Sequence, residues 1–295
     1  QTVSIKTDGT LWSWGANSKG QLGLGNTTNY SSPKQVGALT TWLSVSCGQY
    51  HTVSIKTNGT LWSWGYNPYG QLGLGNTTDY SSPKQVGALT NWSSVSCGVH
   101  QTVSIKTDGT LWSWGWNVYG QLGLGNTTNY SSPMQVGALT NWSSVSCGYF
   151  HTVSIKTDGT LWSWGYNYIG QLGLGNTTYY SSPKQVGALT TWSSVSCGAY
   201  YTVSIKTDGT LWSWGYNLYG QLGLGNTTSY SSPKQVGALT NWLSVSCGYF
   251  HTVSIKTDGT LWSWGRNNSG QLGLGNTTNY SSPKQVGALT SWTKL

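Results

Sequence analysis

The sequence repeats itself every 50 residues without insertions, and this period constrains the fold more than any other feature. The copies span residues 1–50, 51–100, 101–150, 151–200, 201–250 and 251–295. One short repeat cannot bury its apolar face alone and must pack against its neighbours. The period therefore predicts one repetitive domain over residues 1–295, although a chain of this length would otherwise suggest about two domains.

Each copy contains four short segments with the pattern of a β-strand. In the second copy, TVSIK and LWSW alternate apolar and small polar residues around Asn58-Gly59, and the other five copies have Asp-Gly there, a strong hairpin signal. A polar, glycine-rich loop follows, then KQVG after Pro83, then SVSC. Proline and lysine suit an exposed outer strand. Four strands per repeat, with no helical periodicity, are typical of a β-propeller blade.

The two ends of the sequence predict a closed ring. The chain opens on the second strand of a blade and ends on WTKL, the beginning of a first strand. We expect Trp292–Leu295 to pair with the strand that begins at Thr2. The expected fold is all-β: a closed propeller of six blades, each with four antiparallel strands. Eighteen of the 19 tryptophans repeat in every copy, and we expect them to lie mostly buried between blades.

Variation between the copies concentrates in two loops. We name the strands A (SVSC), B (TVSIK), C (LWSW) and D (KQVG). The C–D loop varies at Ala16, Ser18, Lys19; Tyr66, Pro68, Tyr69; Trp116, Val118, Tyr119; Tyr166, Tyr168, Ile169; Tyr216, Leu218, Tyr219; Arg266, Asn268, Ser269; and, at a fourth slot, Asn29, Asp79, Asn129, Tyr179, Ser229, Asn279. The A–B loop varies at residues 49–51, 99–101, 149–151, 199–201 and 249–251. Both connections lie on one side of an up-and-down blade, so the two clusters are expected to share a face.

The variable slots are rich in aromatic residues. They hold 13 of the 19 tyrosines, both phenylalanines and the one tryptophan outside the constant frame. Tyrosine offers a large, rigid contact area at low entropic cost, as in antibody paratopes. We therefore predict a solvent-exposed partner-binding surface made of Tyr50, Tyr66, Tyr69, His100, Trp116, Tyr119, Tyr149, Phe150, Tyr166, Tyr168, Tyr179, Tyr200, Tyr216, Tyr219, Tyr249, Phe250 and Arg266.

Neutral drift and targeted mutagenesis are alternatives to selection for binding. Duplicated loops can drift when selection relaxes, but drift should also change Gln21 and Thr27, which are the same in every copy. The residues at the fourth slot are also those that mutation of a single asparagine codon would produce. That would indicate targeted mutagenesis of the gene. Near-identity of the copies is consistent with either recent amplification or design.

The composition argues against enzymatic chemistry. The chain has no glutamate, and five of its six aspartates are the hairpin-turn residues Asp8, Asp108, Asp158, Asp208 and Asp258. Paired-carboxylate catalysis therefore has almost nothing to use. The motif GQLGLG does not join a strand to a helix, so it does not predict a phosphate-binding loop. We predict no catalytic residue and no cofactor.

The histidine and cysteine positions do not predict a metal site. His51, His151 and His251 begin inner strands on alternate copies, too far apart for a shared zinc ion, and we expect each to form a local hydrogen bond. Cys47, Cys97, Cys147, Cys197 and Cys247 share one repeat position and are interpreted as small buried apolar residues. The repeated Asn-Thr-Thr at Asn26 is interpreted as an Asx turn.

The charge pattern does not indicate a nucleic-acid surface. The net charge is +8 and the pI about 9.2, yet only 7% of residues are charged. Most lysines belong to two constant sets spaced evenly along the chain, which predicts a diffuse positive bias rather than a basic stripe. The sequence contains no signal peptide or membrane-spanning run. We expect a monomer, and the sequence indicates no compartment.

The repeat motif also resembles a known family. The pattern WSWGxNxxGQLGLG, followed by proline and VSCGxxHT, is similar to the regulator of chromosome condensation repeat along the whole chain. The resemblance implies a propeller, usually of seven blades where this chain has six copies. It also implies chromatin or small-GTPase partners, although no copy carries a charged cluster suited to them. We consider three functions: a non-enzymatic binding module that uses the variable loops, a chromatin or GTPase partner, and an amplified or synthetic propeller without a selected partner.

Overall fold

A computed structural model describes residues 1–293, and this part of the chain forms β-strands and no helix. It therefore contains no helix that could cross a membrane. The strands are β1 (Thr2–Ile5), β2 (Leu11–Gly15), β3 (Tyr30–Gln35), β4 (Trp42–Cys47), β5 (His51–Lys56), β6 (Leu61–Gly65), β7 (Tyr80–Gln85), β8 (Trp92–Cys97), β9 (Gln101–Lys106), β10 (Leu111–Gly115), β11 (Tyr130–Gln135), β12 (Trp142–Cys147), β13 (His151–Lys156), β14 (Leu161–Gly165), β15 (Tyr180–Gln185), β16 (Trp192–Cys197), β17 (Tyr201–Lys206), β18 (Leu211–Gly215), β19 (Tyr230–Gln235), β20 (Trp242–Cys247), β21 (His251–Lys256), β22 (Leu261–Gly265) and β23 (Tyr280–Gln285).

The chain divides into two compact units, Gln1–Cys147 and Gly148–Leu295. In the first unit, β1-β2-β3 form a sheet of three strands. Two further sheets, β4-β5-β6-β7 and β8-β9-β10-β11, each contain four consecutive strands. The last strand of this unit, β12, packs against β8 and β9. In the second unit, β13-β14-β15 pair in that order, followed by the sheets β16-β17-β18-β19 and β20-β21-β22-β23. The prediction of a single domain over residues 1–295 stays a prediction.

Each sheet is an antiparallel meander, which confirms the predicted propeller blade. In the second copy, Ser54 pairs with Trp62 across the B–C hairpin, and Ser46 pairs with Val53 across A–B. Strand B is buried along its whole length in the second to fifth copies, and in the second copy strands A and C pair with both of its edges. The small serines between the valine and isoleucine allow that close packing.

The outer strand differs from the sequence-based prediction. We predicted strand D over KQVG, but in the second copy it runs from Tyr80 to Gln85 and ends before Gly87, which has a φ of 60°. A register shift between Ser63 and Gly65 lets the strand begin earlier. Pro83 lies inside this strand, where its missing N–H faces away from the sheet because strand D is the outer edge.

Most constant tryptophans of two of the three sets are buried in the core, as predicted, whereas Trp14 is half-buried. Trp64, Trp114, Trp164, Trp214 and Trp264 are fully buried, and Trp42, Trp92, Trp142, Trp192 and Trp242 are at most 4% exposed. The third set, Trp12 and its equivalents, is half-buried. Trp42 contacts the rings of Trp62 and Trp64 edge-on, with centroids 6.3 and 5.9 Å apart. Such tilted aromatic contacts add stability beyond the apolar area that they bury.

The predicted pairing of the two termini falls partly outside the described residues. Among residues 1–293, the sheet of β1 has three strands, and β1 is alternately exposed where the equivalent B strands are buried. The Trp292 N–H donates to the Gly259 carbonyl, as the equivalent tryptophans do, and its side chain is 39% exposed. Lys294 and Leu295 lie outside the described residues, so closure through Trp292–Leu295 stays a prediction.

Candidate binding surface

The C–D loop that carries most variable slots is held by one constant, buried asparagine. In the second copy, Asn67 Oδ1 accepts the Leu72 N–H at 2.9 Å, and Asn67 Nδ2 donates to the Asn76 and Thr78 carbonyls at 3.0 Å. Asn76 Oδ1 in turn accepts the Thr78 N–H, the Asx turn expected at this position. These bonds fix the loop backbone, so the slots between them can change residue without changing the loop.

The fourth variable slot also has a structural task that the sequence did not indicate. The side-chain oxygen of Asp79 accepts the Asn67 N–H at 2.7 Å, and Asn29 and Ser229 accept the equivalent N–H groups in their copies. Asn, Asp and Ser share a side-chain oxygen within reach of that donor. Tyr179 lacks one there, and its ring lies 4.8 Å from that of Tyr166 instead.

The second half of the loop is constant because it packs against the next copy. We call this contact, between Gln21–Gly25 of one copy and the following blade, the seam. The Gln21 carbonyl accepts bonds from Trp64 Nε1 at 3.0 Å and Thr52 Oγ1 at 2.8 Å. A Cβ built at Gly23 would lie 2.6 Å from Trp64 Nε1, so a side chain does not fit. The variable slots lie outside this contact.

In the first unit, the two variable loops bring six aromatic rings together as patch 1, which consists of Tyr50, Tyr66, Tyr69, His100, Trp116 and Tyr119. The Tyr66 N–H donates to the Tyr50 carbonyl at 2.9 Å, which joins the C–D loop directly to the A–B loop. The His100 ring lies 5.1 Å from Tyr69 and 6.1 Å from Trp116. Residues from both variable clusters are therefore in contact.

Patch 1 is largely uncharged. Burial raises the pKa of Tyr66, with smaller contributions from Tyr69 and Asp79. Burial lowers the pKa of His100, which therefore stays neutral at neutral pH. Lys19 Nζ lies 4.9 Å from the Tyr66 ring centre, so a cation also borders the patch.

In the second unit, a larger set of rings forms patch 2, which consists of Tyr149, Phe150, Tyr166, Tyr168, Tyr179, Tyr200, Tyr216, Tyr219, Tyr249, Phe250 and Arg266. Tyr249 contacts Tyr149 at 4.8 Å and Phe250 at 4.1 Å, and Phe250 contacts Tyr219 at 5.1 Å. The Arg266 guanidinium lies 5.3 Å from the Tyr219 ring centre. Rings from neighbouring copies are thus continuous within the unit.

The rings are less exposed than we predicted. Tyr168, Tyr179 and Tyr249 are 68%, 40% and 45% exposed, and the other predicted partner-binding residues are half-buried. The physical reason is that each ring covers part of its neighbour. Such contact also fixes the orientation of the rings and lowers the entropy that binding would cost.

The last position of the variable A–B cluster, which we did not include in the predicted surface, is buried in four of the five copies that have it. His51, Gln101, His151 and Tyr201 are fully buried. His51 Nε2 lies 3.1 Å from Thr102 Oγ1, and His151 Nε2 lies 3.2 Å from Thr202 Oγ1. The expected hydrogen bond exists, but it joins two copies and is not local. Burial lowers the pKa of His51 and of His151 to about 3, so both rings are neutral.

The B–C hairpin, on the opposite side of the blade from the variable loops, is nearly constant because its polar groups form a chain of hydrogen bonds. Asp8 Oδ1 accepts the Thr10 N–H at 2.9 Å and the Thr10 hydroxyl at 2.6 Å, and Thr10 Oγ1 accepts Trp12 Nε1 at 2.9 Å. The bonds from Thr10 lower the pKa of Asp8. Lys56 Nζ lies 3.5 Å from the Trp62 ring centre, and its side chain is only 7% exposed. Part of the predicted diffuse positive surface is therefore covered.

The five cysteines occupy buried or half-buried positions. The Cys97 N–H donates to Ser46 Oγ at 3.0 Å, which adds a bond between copies. Burial raises the pKa of the Cys247 thiol to about 12. Among residues 1–293, no three His, Cys, Asp or Glu side chains come together in a way that could hold a metal ion.

Comparison with curated proteins finds short matches to one family. Protein RCC2 from Homo sapiens is 43% identical over 53 residues, which are 17% of this chain and 10% of that protein. The homologous protein of Danio rerio is 43% identical over 53 residues, 11% of its length. The matched part thus spans about a tenth of these relatives.

Solved structures match nearly the whole chain. Yeast RCC1 (Prp20) bound to Kap60 has a TM-score of 0.86 at 19% identity, covering 97% of this chain and 72% of that one. Prp20p from Saccharomyces cerevisiae, described with its binding to Gsp1p and histones, has a TM-score of 0.87 at 20% identity, covering 97% and 74%. Human WBSCR16 has a TM-score of 0.84 at 24% identity, covering 97% and 78%. These identities show a shared fold.

Family profiles complete the assignment. The profile of the RCC1-like domain matches residues 1–193. The regulator of chromosome condensation (RCC1) repeat matches residues 208–255 and 258–294. Together with the antiparallel blades, these matches show that the chain belongs to the RCC1-like domain family of β-propellers.

Proposed function

We propose that this protein is a non-enzymatic binding module that holds a macromolecular partner, most simply another protein, on its variable aromatic loops. The observation that carries the proposal is the contact between the two variable clusters, such as Tyr66 with Tyr50 and Phe250 with Tyr219. Residues that differ from copy to copy are thereby collected into continuous aromatic patches on a constant frame.

The energetics of such patches support protein binding. Tyrosine and tryptophan are enriched among the residues that dominate binding energy at interfaces. Here they are partly packed before any partner arrives, so less conformational freedom is lost on binding. The few cations beside the rings, Lys19 and Arg266, fit a partner surface with aromatic and acidic groups.

A second candidate is a chromatin or small-GTPase partner, as the family resemblance implies. Prp20p, a structural neighbour, is described with binding to Gsp1p and histones. The covered lysines and the absence of glutamate weigh against a charged docking surface on this chain. Titrating DNA, histones and a small GTPase against the protein at increasing salt would separate this candidate, because contacts to phosphate weaken steeply with salt.

The test is to replace Trp116 and Tyr119 together by alanine, after the partner has been enriched from the source cells with the unaltered chain. We expect the affinity for that partner to fall by about 2 kcal/mol or more, the usual scale of a hot spot. Leu139→Ala is the control, since Leu139 is an exposed apolar residue of the constant frame in the same copy. Equal affinities of both variants and the unaltered chain would refute the proposal.

A further inference from the structure

Four equivalent clefts recur along the chain, and only constant residues of the repeat line them. The first has a volume of about 380 Å³ and apolar walls made by Leu24, Val36, Leu39, Trp42, Trp62 and Pro83. The others begin at Gly73, Gly173 and Gly223 and measure about 350 to 380 Å³. Volumes above roughly 300 Å³ are in the range of small-molecule sites. The variable slots contribute nothing to these clefts.

Each cleft is lined by a tryptophan whose indole N–H is buried and has no partner. Trp42 is 4% exposed, and its indole N–H has no hydrogen-bond partner. The same holds for Trp92, Trp192 and Trp242, which line the other three clefts. By contrast, the indole N–H of Trp64 is bonded to the Gln21 carbonyl. Because the Trp42 N–H has almost no accessible surface, a ligand in the cleft would contact the carbon atoms of these rings and not the donor itself.

A lysine side chain lines three of the four clefts. Lys56 also lines the first cleft, and its Nζ lies 3.5 Å from the Trp62 ring centre and 4.8 Å from that of Trp42. Lys206 and Lys256 take the same position in their clefts and are 8% and 5% exposed. Burial lowers the pKa of Lys56. Its hairpin turn carries Asn58 where the other copies have aspartate, so no turn carboxylate accompanies it.

We propose that the three clefts lined by Lys56, Lys206 and Lys256 each bind a small amphiphilic carboxylate, with its apolar body between the leucine and tryptophan walls. The carboxylate pairs with the lysine ammonium. The ammonium is only a donor, so an anionic group that only accepts hydrogen bonds fits it. Because the lining residues repeat, one chain takes several equivalents of the ligand. This inference is independent of the partner that the variable loops bind.

Decanoate, below its micelle concentration, is a suitable probe for the full chain. We expect saturable binding of several equivalents by calorimetry, and much weaker binding of decanol, which lacks the charge. In ¹⁵N spectra, the indole signals of Trp42, Trp192 and Trp242 should shift, because these rings line the occupied clefts. The indole signals of Trp64 and its equivalents are internal controls, since they donate to backbone carbonyls. Absence of saturable decanoate binding, or equal binding of decanol, would overturn the proposal.

The repeats allow a stoichiometric test. Lys56→Gln removes one ammonium and should lower the number of bound equivalents by one, leaving the other clefts intact. Lys84→Gln removes the same charge from an exposed position outside the clefts and should change nothing. Lys206→Gln repeats the test in the second unit should the first variant fail to fold, with circular dichroism as the check. An unchanged stoichiometry in a folded variant of either cleft lysine would rule out the site.

Discussion

Two loops with the same sequence, GQLGLGN at residues 70–76 and at 270–276, differ sharply in their surroundings. In the first, Gln71, Leu72 and Gly73 are buried, and a Cβ built at Gly73 would lie 2.7 Å from Trp114 Nε1. In the second, Gly273 is exposed, and a Cβ there would meet only Val286, at 3.4 Å. The sequence is shared, so the difference comes entirely from what packs against it.

The backbone of the two loops is nevertheless the same. Asn267 Oδ1 accepts the Leu272 N–H at 2.9 Å, as Asn67 does in its own loop. The φ angles of Gly73 and Gly273 are 71° and 67°. The loop conformation is therefore set locally, by the asparagine and the glycines. The restriction on side-chain size at Gly73 is set by the neighbouring blade.

The largest effect is expected from Gly73→Ala. A methyl group would clash with the buried Trp114 ring and would also sit at a positive φ, so we expect a loss of about 4 kcal/mol in the free energy of unfolding. Gly273→Ala shares the φ but not the clash and should cost only about 1 kcal/mol. Gly87→Ala, at a φ of 60° with nothing within 4 Å, is a second control. Urea unfolding measures all three.

The same unfolding measurements test whether the loops at residues 70–76 and 270–276 differ in solution as they do in the structure. Equal, large losses for Gly73→Ala and Gly273→Ala would mean that the last loop is also covered, as closure through Trp292–Leu295 would require. Small losses for both would mean that the seam tolerates a side chain and that the steric argument is wrong.

An intermediate loss of stability is expected when the pH is lowered, because of the buried histidines. The folded pKa of His151 is about 3 and the unfolded value about 6.5, so only the unfolded chain takes up a proton between these values. Stability is complete above pH 6.5 and falls as the pH drops toward 3. Between pH 7 and 5 the loss is about 2 kcal/mol for this residue. His151→Gln should remove that part of the loss, since Gln101 already occupies the equivalent slot.

His251 provides the matched control for this prediction. His251 is half-buried, and burial lowers its pKa by less than it lowers the pKa of His151. His251→Gln should therefore change the pH dependence of the free energy of unfolding by less than His151→Gln. A pH dependence that neither substitution alters would contradict neutral burial of His151.

The smallest effect on the free energy of unfolding is expected from a substitution in the variable half of the C–D loop. Tyr168 is 68% exposed, and we expect Tyr168→Ala to change the free energy of unfolding by no more than about 0.5 kcal/mol. The substitution should still weaken partner binding if patch 2 is used. A loss of stability above about 1 kcal/mol would show that this slot has a folding role, and that its variation does not reflect freedom from packing.

Sequence variation between the copies did not by itself identify the solvent-exposed residues. It correctly singled out Tyr168 and Tyr249 as exposed, but it also singled out Tyr201, which is fully buried and bonded to the next copy. His, Gln and Tyr at that slot all end in a group that can form a hydrogen bond, so a buried polar contact tolerates them. Only the inward direction of strand B distinguishes such a slot from an exposed one.

The sequence by itself determined the repeat, the four strands of the blade, the hairpin turns and the tryptophan core. These features follow from the alternation of apolar and polar residues, from the turn residues and from the strict period. The alternation and the turns depend only on a few neighbouring residues. The tertiary structure alone decided which partners those residues meet: Thr102 for His51, the Gln21 carbonyl for Trp64, and the cleft in which Lys56 covers Trp62. These contacts join residues up to 51 positions apart, and a pattern that repeats identically cannot say which copies, or which ends of the chain, come together.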